Sequence, residues 1–522
     1  MKLGNLSKTI LLCFLCIALV ACSNNNGNNT ANKGENAPNN AVEKDEAPIT
    51  ISWLSFNPPE TDDSPVQKAL EAKFNVKFKN IRVERQQYYA QMVQKIGAGE
   101  IPDVIYLEGA QQVADFQNQG VLADLPMDEI RGVMPEYISS LEALNPNLLT
   151  NGLVNGENYS IPLAWLDGEL PFLAGYNKNW MDKLGYTEPP TTLDEFEELL
   201  RKMRDEDPDG NNAKDTIGYS AQGVDGRSFV SVYGAFQVRN DWMVDDNGTI
   251  YNGVITDNFR EALKVLQRWY KDGLIDKEFI TKNVSDAHDD FNNNKVGVRD
   301  WMSFQFQKEL GIIGNQFYNI NPNNEIMIGK PLEGPYGQGK AYSYSAINGF
   351  IALGKQVQDD PKKKQRILEI LNALATDDET FLLAGYGVEG EHYDMVDGLP
   401  VSKEEYKTET TKLKIGAGLF YGIFSTKSVP MSKYESTEAI RDFKTQLAEG
   451  VTTMPGLGLT APDVTIQYPE LGTFVAESTL KFITGEYNLE GDFDKFRETF
   501  LKTGGQAITD AFNVKYKGAY KK

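Results

Sequence analysis

From Ile49 to Gln119 the chain alternates between strand and helix periods, and this restricts the fold more than any other feature. Ile49, Ile51 and Trp53 recur at every second residue, as in a strand buried on one face. Ser64-Pro65 is a cap followed by proline at the first helical position. Val66, Ala69, Leu70 and Phe74 then share one helical face. Val76 to Val83 reads as a strand, and Tyr88 to Ile96 as a helix stopped by Gly97 and Gly99. Val104-Ile-Tyr-Leu107 is an apolar run suited to a parallel strand buried on both faces, and a further helix spans Gln111 to Gln119. This βαβαβα order predicts an α/β layer fold.

The amino terminus reads as an address and an anchor. Lys2 and Lys8 precede an apolar run from Ile10 to Val20. The run has roughly half of the ~20 residues a spanning helix needs, so it predicts a signal peptide over residues 1–21. It ends in Leu19-Val20-Ala21-Cys22, which resembles the bacterial lipobox, a signal cut before a cysteine that is then diacylated. Cys13 and Cys16 would leave with the signal, so the body has neither a disulfide nor a cysteine-based zinc site. Residues 22–47 form the lipidated cysteine and a tether. Nine of residues 23–47 are Asn and Val42 is the only large aliphatic, too little apolar surface to offset ordering entropy. No later segment is apolar and long enough to span a bilayer, which predicts a soluble body from Pro48 to Lys522.

The formal charge is −22 over 522 residues, and residues 1–21 carry two positive charges and no negative ones. So acidic a chain is a poor match for nucleic acid, whose binding rests on clustered Lys and Arg. Beyond residue 120 helices dominate. Thr192-Leu-Asp-Glu195 is a capping box, Thr256 caps a helix stopped by Gly273, and Asp360-Pro361 opens another.

Several stretches together resemble the lipoprotein solute-binding proteins of carbohydrate ABC importers. They are the strand ending in Trp53, Gly99-Glu-Ile-Pro-Asp103, Gln119-Gly-Val-Leu-Ala-Asp124, Asn155 to Pro162, Tyr176-Asn177-Lys178, Pro190 to Phe196, and Tyr386-Gly-Val-Glu-Gly-Glu-His-Tyr393. The last resembles the larger subfamily that takes up oligosaccharides. The resemblance implies a type II periplasmic-binding-protein-like α/β fold of two discontinuous lobes joined by a hinge, with the ligand cleft between them. Lobe 1 would hold 49–166 plus about 346–390, and lobe 2 about 176–342 plus about 395–520. The crossings would fall near 166–176, near 343–346 and between 390 and 430. It further implies a monomer that binds a sugar without chemistry and passes it to the importer's membrane subunits. Ser23 after the lipidated cysteine would send the protein to the outer membrane of a two-membrane cell. The outer face of a single plasma membrane is therefore the predicted location.

Asp207, Asp209, Asn211 and Asp215 stand at positions 1, 3, 5 and 9 of a loop, and Ala213 at position 7 could add a carbonyl. That is the oxygen rhythm of a calcium loop. It departs from the EF-hand pattern in two ways: Gly210 is at position 4 rather than 6, and Gly218 replaces the bidentate Glu at position 12. The resemblance adds Thr216 as a ligand and implies a structural calcium ion; the competing reading is a solvated acidic turn.

Sugars present apolar ring faces and a rim of hydroxyls, met by aromatics and by polar side chains. Ligands of open α/β sheets sit beyond the carboxyl ends of strands, which selects Trp53, Tyr106 and Glu108. Trp165 joins them at the first crossing. Family position adds Trp301, Glu389 and His392, and Trp242 is a further candidate. Trp180 and Trp269 sit on apolar helical faces and read as core. The alternatives are a lipid-anchored glycoside hydrolase, whose carboxylate pair would be hidden among 74 Asp and Glu, and a carbohydrate-binding adhesin. No G-x-S-x-G, H-E-x-x-H or P-loop is present, and two histidines leave little for His-based catalysis.

Overall fold

The computed structural model describes residues 47–308 and 310–520. The signal peptide, Cys22 and the tether up to residue 46 lie outside the described residues. The first sheet starts with β1 (Ile49–Leu54), α1 (Pro65–Phe74), β2 (Val76–Asn80), α2 (Tyr88–Gly97), β3 (Val104–Leu107), α3 (Ala110–Asn118) and β4 (Ser160–Ala164). Local chemistry sets these boundaries. The Ser64 hydroxyl accepts from Gln67 N, Pro65 occupies the first turn, and Asn75 ends α1 in the left-handed conformation. β1 pairs in parallel with β2, Ile49 opposite Val76, and with β3, Trp53 opposite Val104.

The chain then leaves for a second sheet, built from β5 (Phe172–Asn177), α4 (Leu193–Asp205), β6 (Ile217–Ser220), α5 (Asp257–Asp272), β7 (Val296–Met302) and β8 (Ile326–Ile328). The Thr192–Glu195 capping box starts α4, and Thr256 and Gly273 bound α5. The sheet order is β8-β5-β7-β6. After the short β9 (Ala341–Ser343) the chain returns as β10 (Ile347–Leu353), antiparallel between β3 and β4. The first sheet thus reads β2-β1-β3-β10-β4. α6 (Pro361–Thr376) then packs on this lobe, and β11 (Thr453–Pro455) lies parallel to β9. The chain closes with α7 (Leu471–Thr484), α8 (Leu489–Phe500) and α9 (Gln506–Lys515). Among the described residues no helix is long and apolar enough to cross a membrane.

Two apolar cores result. The first gathers residues from 51–164 and 346–424, the second from 172–342 and 447–516. The last crossing, expected between 390 and 430, falls at the late end of that range, and the expected lobe 2 start near 395 is too early: Ile415, Phe420, Tyr421 and Phe424 pack into the first core. The Trp53 indole N–H donates to the Phe420 carbonyl at 3.0 Å, and the Tyr421 hydroxyl donates to Asn80 Oδ1 at 2.7 Å. This apolar stretch covers the β1–β2 side of the first sheet, so the final crossing comes after Phe424 and before Leu447.

Candidate ligand cleft

Three connections pass between the cores, and residues of the first two, with neighbours from both lobes, wall a cavity of about 550 Å³. The first connection contributes Trp165 and the second Tyr344, whose rings stack at 5.5 Å with 30° between their planes. Phe172 meets Tyr344 edge-on at 5.1 Å. Trp165 N donates to the Ala346 carbonyl at 2.6 Å, tying the two crossings together. Gly168 is required here, because a Cβ would stand 2.5 Å from the Ser345 carbonyl oxygen and 2.8 Å from the Trp165 ring. The Trp165–Tyr344 pair presents a half-buried aromatic wall suited to an apolar ring face.

Polar groups from both lobes complete the cavity: Glu108 and Asn348 from the first, Asp225, Arg227 and the Arg239–Asp241 turn from the second. Arg227 Nε donates to Asp225 Oδ1 at 2.7 Å, and its guanidinium lies 4.9 Å from the Trp301 ring centre. Burial pushes the Asp225 carboxyl up, but the bonds from Arg227 outweigh it and hold the group below the usual carboxylate range. Hydrogen bonding to Asp225 in turn raises the Arg227 guanidinium. Arg239 Nη1 donates to the carbonyls of Met454 at 2.6 Å and Ser343 at 3.2 Å. It thereby clasps β9, at the second crossing, to β11, which follows the third. Its guanidinium lies 4.3 Å over the Tyr342 ring, and its Nε is buried without a partner.

The residues named from sequence fall into three groups. Glu108 and Trp165 line the cavity. Trp301 and Tyr106 stand behind it. Trp301 is buried under Arg227, donates its indole N–H to Gln305 Oε1 at 3.0 Å and meets the His288 ring at 4.6 Å. Burial, with Arg299 and Arg227 nearby, pushes His288 down to about 3. The Tyr106 hydroxyl accepts from Lys427 Nζ at 2.7 Å, and burial lowers Lys427 to about 8. The rest lie elsewhere. Trp53 is fully buried against Phe78 and Tyr421, so its ring is core and not a cleft surface. Glu389 is exposed in a turn, and His392 Nδ1 accepts from Val388 N at 2.9 Å while its ring packs on Tyr406. Neither lines the cavity: both stand next to the hairpin Tyr393–Ser402, whose Tyr393 packs with Phe381, Leu382 and Met431 in a separate small cluster. Trp242 opens the hairpin paired with Ile250–Asn252 and faces an adjoining cavity.

Asp225, Arg227, Arg239, Asn240, Tyr344 and Asn348 were not singled out from sequence. For some of them the sequence holds a signal: Arg239, Asn240 and Asp241 stand directly before Trp242, and these three polar residues line the cleft.

The acidic loop follows α4. Asn211 Nδ2 bridges Asp209 at 2.8 Å and Asp215 at 3.1 Å, and Asp207 Oδ2 accepts from Asn212 N at 2.9 Å. Ala213 N donates to Asn211 Oδ1 at 2.6 Å. Asp207 Oδ1 is buried without a hydrogen-bond donor. Hydrogen bonding with Asp209 lowers Asp207, while burial and Asp207 raise Asp209: the two carboxyls crowd each other. The Thr216 hydroxyl donates to the Met203 carbonyl at 2.7 Å, which takes its side chain out of the loop. Among the described residues no three His, Cys, Asp or Glu side chains are gathered within reach of one metal ion. The oxygen donors suit a hard cation, but they bond one another here.

Residues 57–379 match the family model described as "Bacterial extracellular solute-binding protein". Lipoprotein LipO of Bacillus subtilis is 24% identical over 99% of this chain and 100% of its own. The fructooligosaccharide ABC transporter substrate-binding protein FusA of Streptococcus pneumoniae is 25% identical over 65% of this chain and 63% of its own. Among solved structures, an HMO-binding, ABC-transporter-associated solute-binding protein of Bifidobacterium longum infantis superposes with a TM-score of 0.69. It is 19% identical and covers 91% of this chain and 100% of its own.

Proposed function

This chain belongs to the bacterial extracellular solute-binding proteins, and from that premise we propose that it captures an oligosaccharide outside the cell and hands it to an ABC permease. It is a binding protein and not an enzyme. The observation that carries the reading is the cavity at the first two crossings, where a stacked Trp165–Tyr344 wall faces a charged and amide rim. An aromatic face beside hydrogen-bonding groups is what a sugar ring needs, and the orphaned Arg239 Nε supports a polar ligand. A ligand touching Glu108 and Asn348 on one lobe and Asp225 and Arg227 on the other favours the closed state by its differential affinity. The motion is hinge bending about the crossings that Arg239 clasps.

The finer parts belong to the same proposal. Acylation of Cys22 anchors the protein, as a monomer, to the outer face of a single plasma membrane, with residues 22–47 as tether. Two or more acyl chains hold stably at ~0.8 kcal/mol per buried CH₂. Anchoring also raises the effective concentration at the permease. Calcium held by Asp207, Asp209, Asn211, Asp215 and the carbonyls of Ala213 and Thr216 would relieve the crowding of Asp207 and Asp209 and staple the loop to α4. The test is calorimetric titration with fructo-, xylo-, galacturono- and milk oligosaccharides, with product analysis of each mixture. Saturable binding with no cleavage is expected; cleavage, or no binding to any saccharide, refutes the proposal.

A further inference from the structure

Past the Arg239–Asp241 turn the cleft does not end. A second cavity of about 420 Å³ adjoins it and shares Gly226, Asn240 and Asp241 as wall. It lies inside the second lobe, between the Trp242 hairpin and the carboxyl-terminal helices. Resting on the saccharide reading above, we propose that this chamber is a second ligand subsite, which receives the continuation of an oligosaccharide chain whose first residues occupy the cleft.

The chamber is built rather than left over. Protein interiors pack closely, and apolar side chains such as Val475 and Ile508 could have filled the space. Instead two half-buried aromatics border it, Trp242 and Tyr468. Trp242 is braced edge-on by Phe512 at 4.9 Å. Tyr468 is fixed by a break in the last helical run: between α8 and α9 the chain kinks, with Thr503 outside helical geometry and Gly504 at φ +124°. A Cβ on Gly504 would lie 2.3 Å from Tyr468 Cγ, so only glycine lets the ring rest on the helix backbone. Polar groups accompany the rings: Asn240 and Asp241 at the opening and Thr479 within. Aromatic faces with a few polar groups repeat the chemistry of the cleft, and the shared wall of Gly226, Asn240 and Asp241 sets the two cavities side by side. Each ring of a sugar chain has an apolar face and a hydroxyl rim, the chemistry both cavities offer.

The test uses the full chain and the saccharide class that binds in the titration above, as a series from two to six residues. Wild type is expected to gain affinity with length, and the disaccharide Kd, which reads the cleft, reports whether each variant is folded. Tyr468→Ala should reduce the gain by roughly three- to tenfold, the worth of one ring face on an aromatic. Val475→Trp, which fills the chamber, should abolish it. No gain with length in wild type, or an unchanged gain in both variants, overturns the chamber and leaves the cleft reading standing. Failure of every saccharide to bind overturns both.

Discussion

Replacing Arg227 with Met tests the cleft most sharply, because Arg227 is tied both to the ligand space and to a half-buried carboxylate. The variant keeps an unbranched apolar stem but loses the charge and the guanidinium that lies over the Trp301 ring. If the guanidinium donates to a sugar hydroxyl, the lost hydrogen bond to a charged group costs about 1.5–3 kcal/mol, or roughly ten- to hundredfold in Kd. The same change strands Asp225. The pair is 31% and 30% exposed, so its loss costs the fold about 1–2 kcal/mol, below the figure for a fully buried pair. In wild type the Asp225 carboxyl is held below its ordinary value, so it stabilises the fold above about pH 4 and the benefit is lost as pH falls through the lower folded value. In R227M burial still pushes the carboxyl up, while the backbone N–H of residue 227 and the Gln222 side chain still hold it down. Losing the guanidinium moves the carboxyl upward, so the loss of stability on acidification shrinks. Calorimetry with the best saccharide and thermal melts from pH 4 to 8 read both effects. The double variant Asp225→Asn with Arg227→Met should regain stability and not affinity. A wild-type Kd in R227M would refute the placement of the sugar, and an unchanged pH profile would refute the ion-pair argument.

The aromatic assignments separate by assay. Trp165→Ala or Tyr344→Ala should weaken saccharide binding several-fold with a small effect on melting, whereas Trp53→Ala should cost about 3–5 kcal/mol of stability, as for any large buried aromatic. Calcium added to chelator-treated protein should raise the melting temperature of wild type and not of Asp207→Asn; no shift in wild type removes the metal from the account. Cys22→Ser should move the protein from the membrane fraction into the medium, and unchanged fractionation would reject lipid anchoring. Because His288 is pushed down to about 3, the unfolded chain takes its proton first as pH falls below about 6.5, so stability declines by up to about 1.4 kcal/mol per pH unit toward the lower value. His288→Gln should flatten that part of the melting profile, and an unaltered slope would contradict the buried, neutral assignment.

What the sequence determined alone was set by local physics. The alternation of Ile49, Ile51 and Trp53, the Ser64-Pro65 cap, the Thr192 capping box and the Gly273 stop each depend on neighbours within a few residues, and each stands in the structure where the pattern placed it. The family resemblance rested on motifs of the same local kind, spread along much of the body. The cleft was legible only in part, through Glu108 after a strand and Trp165 at a crossing. Partnerships across hundreds of residues were not legible. Trp53 met the rule for a ligand-facing strand end, but Phe420, 367 positions away, covers it and takes its N–H. The same distant segment holds the chain in the first core as far as Phe424, so the last crossing comes late. The Arg239 clasp on Ser343 and Met454, and the bed that Gly504 makes for Tyr468, likewise join residues whose spacing in sequence carries no period. Periodicity reports which face of an element is apolar. Which surface covers that face, and which side chains are left to meet a ligand, is decided when the two lobes and their crossings pack.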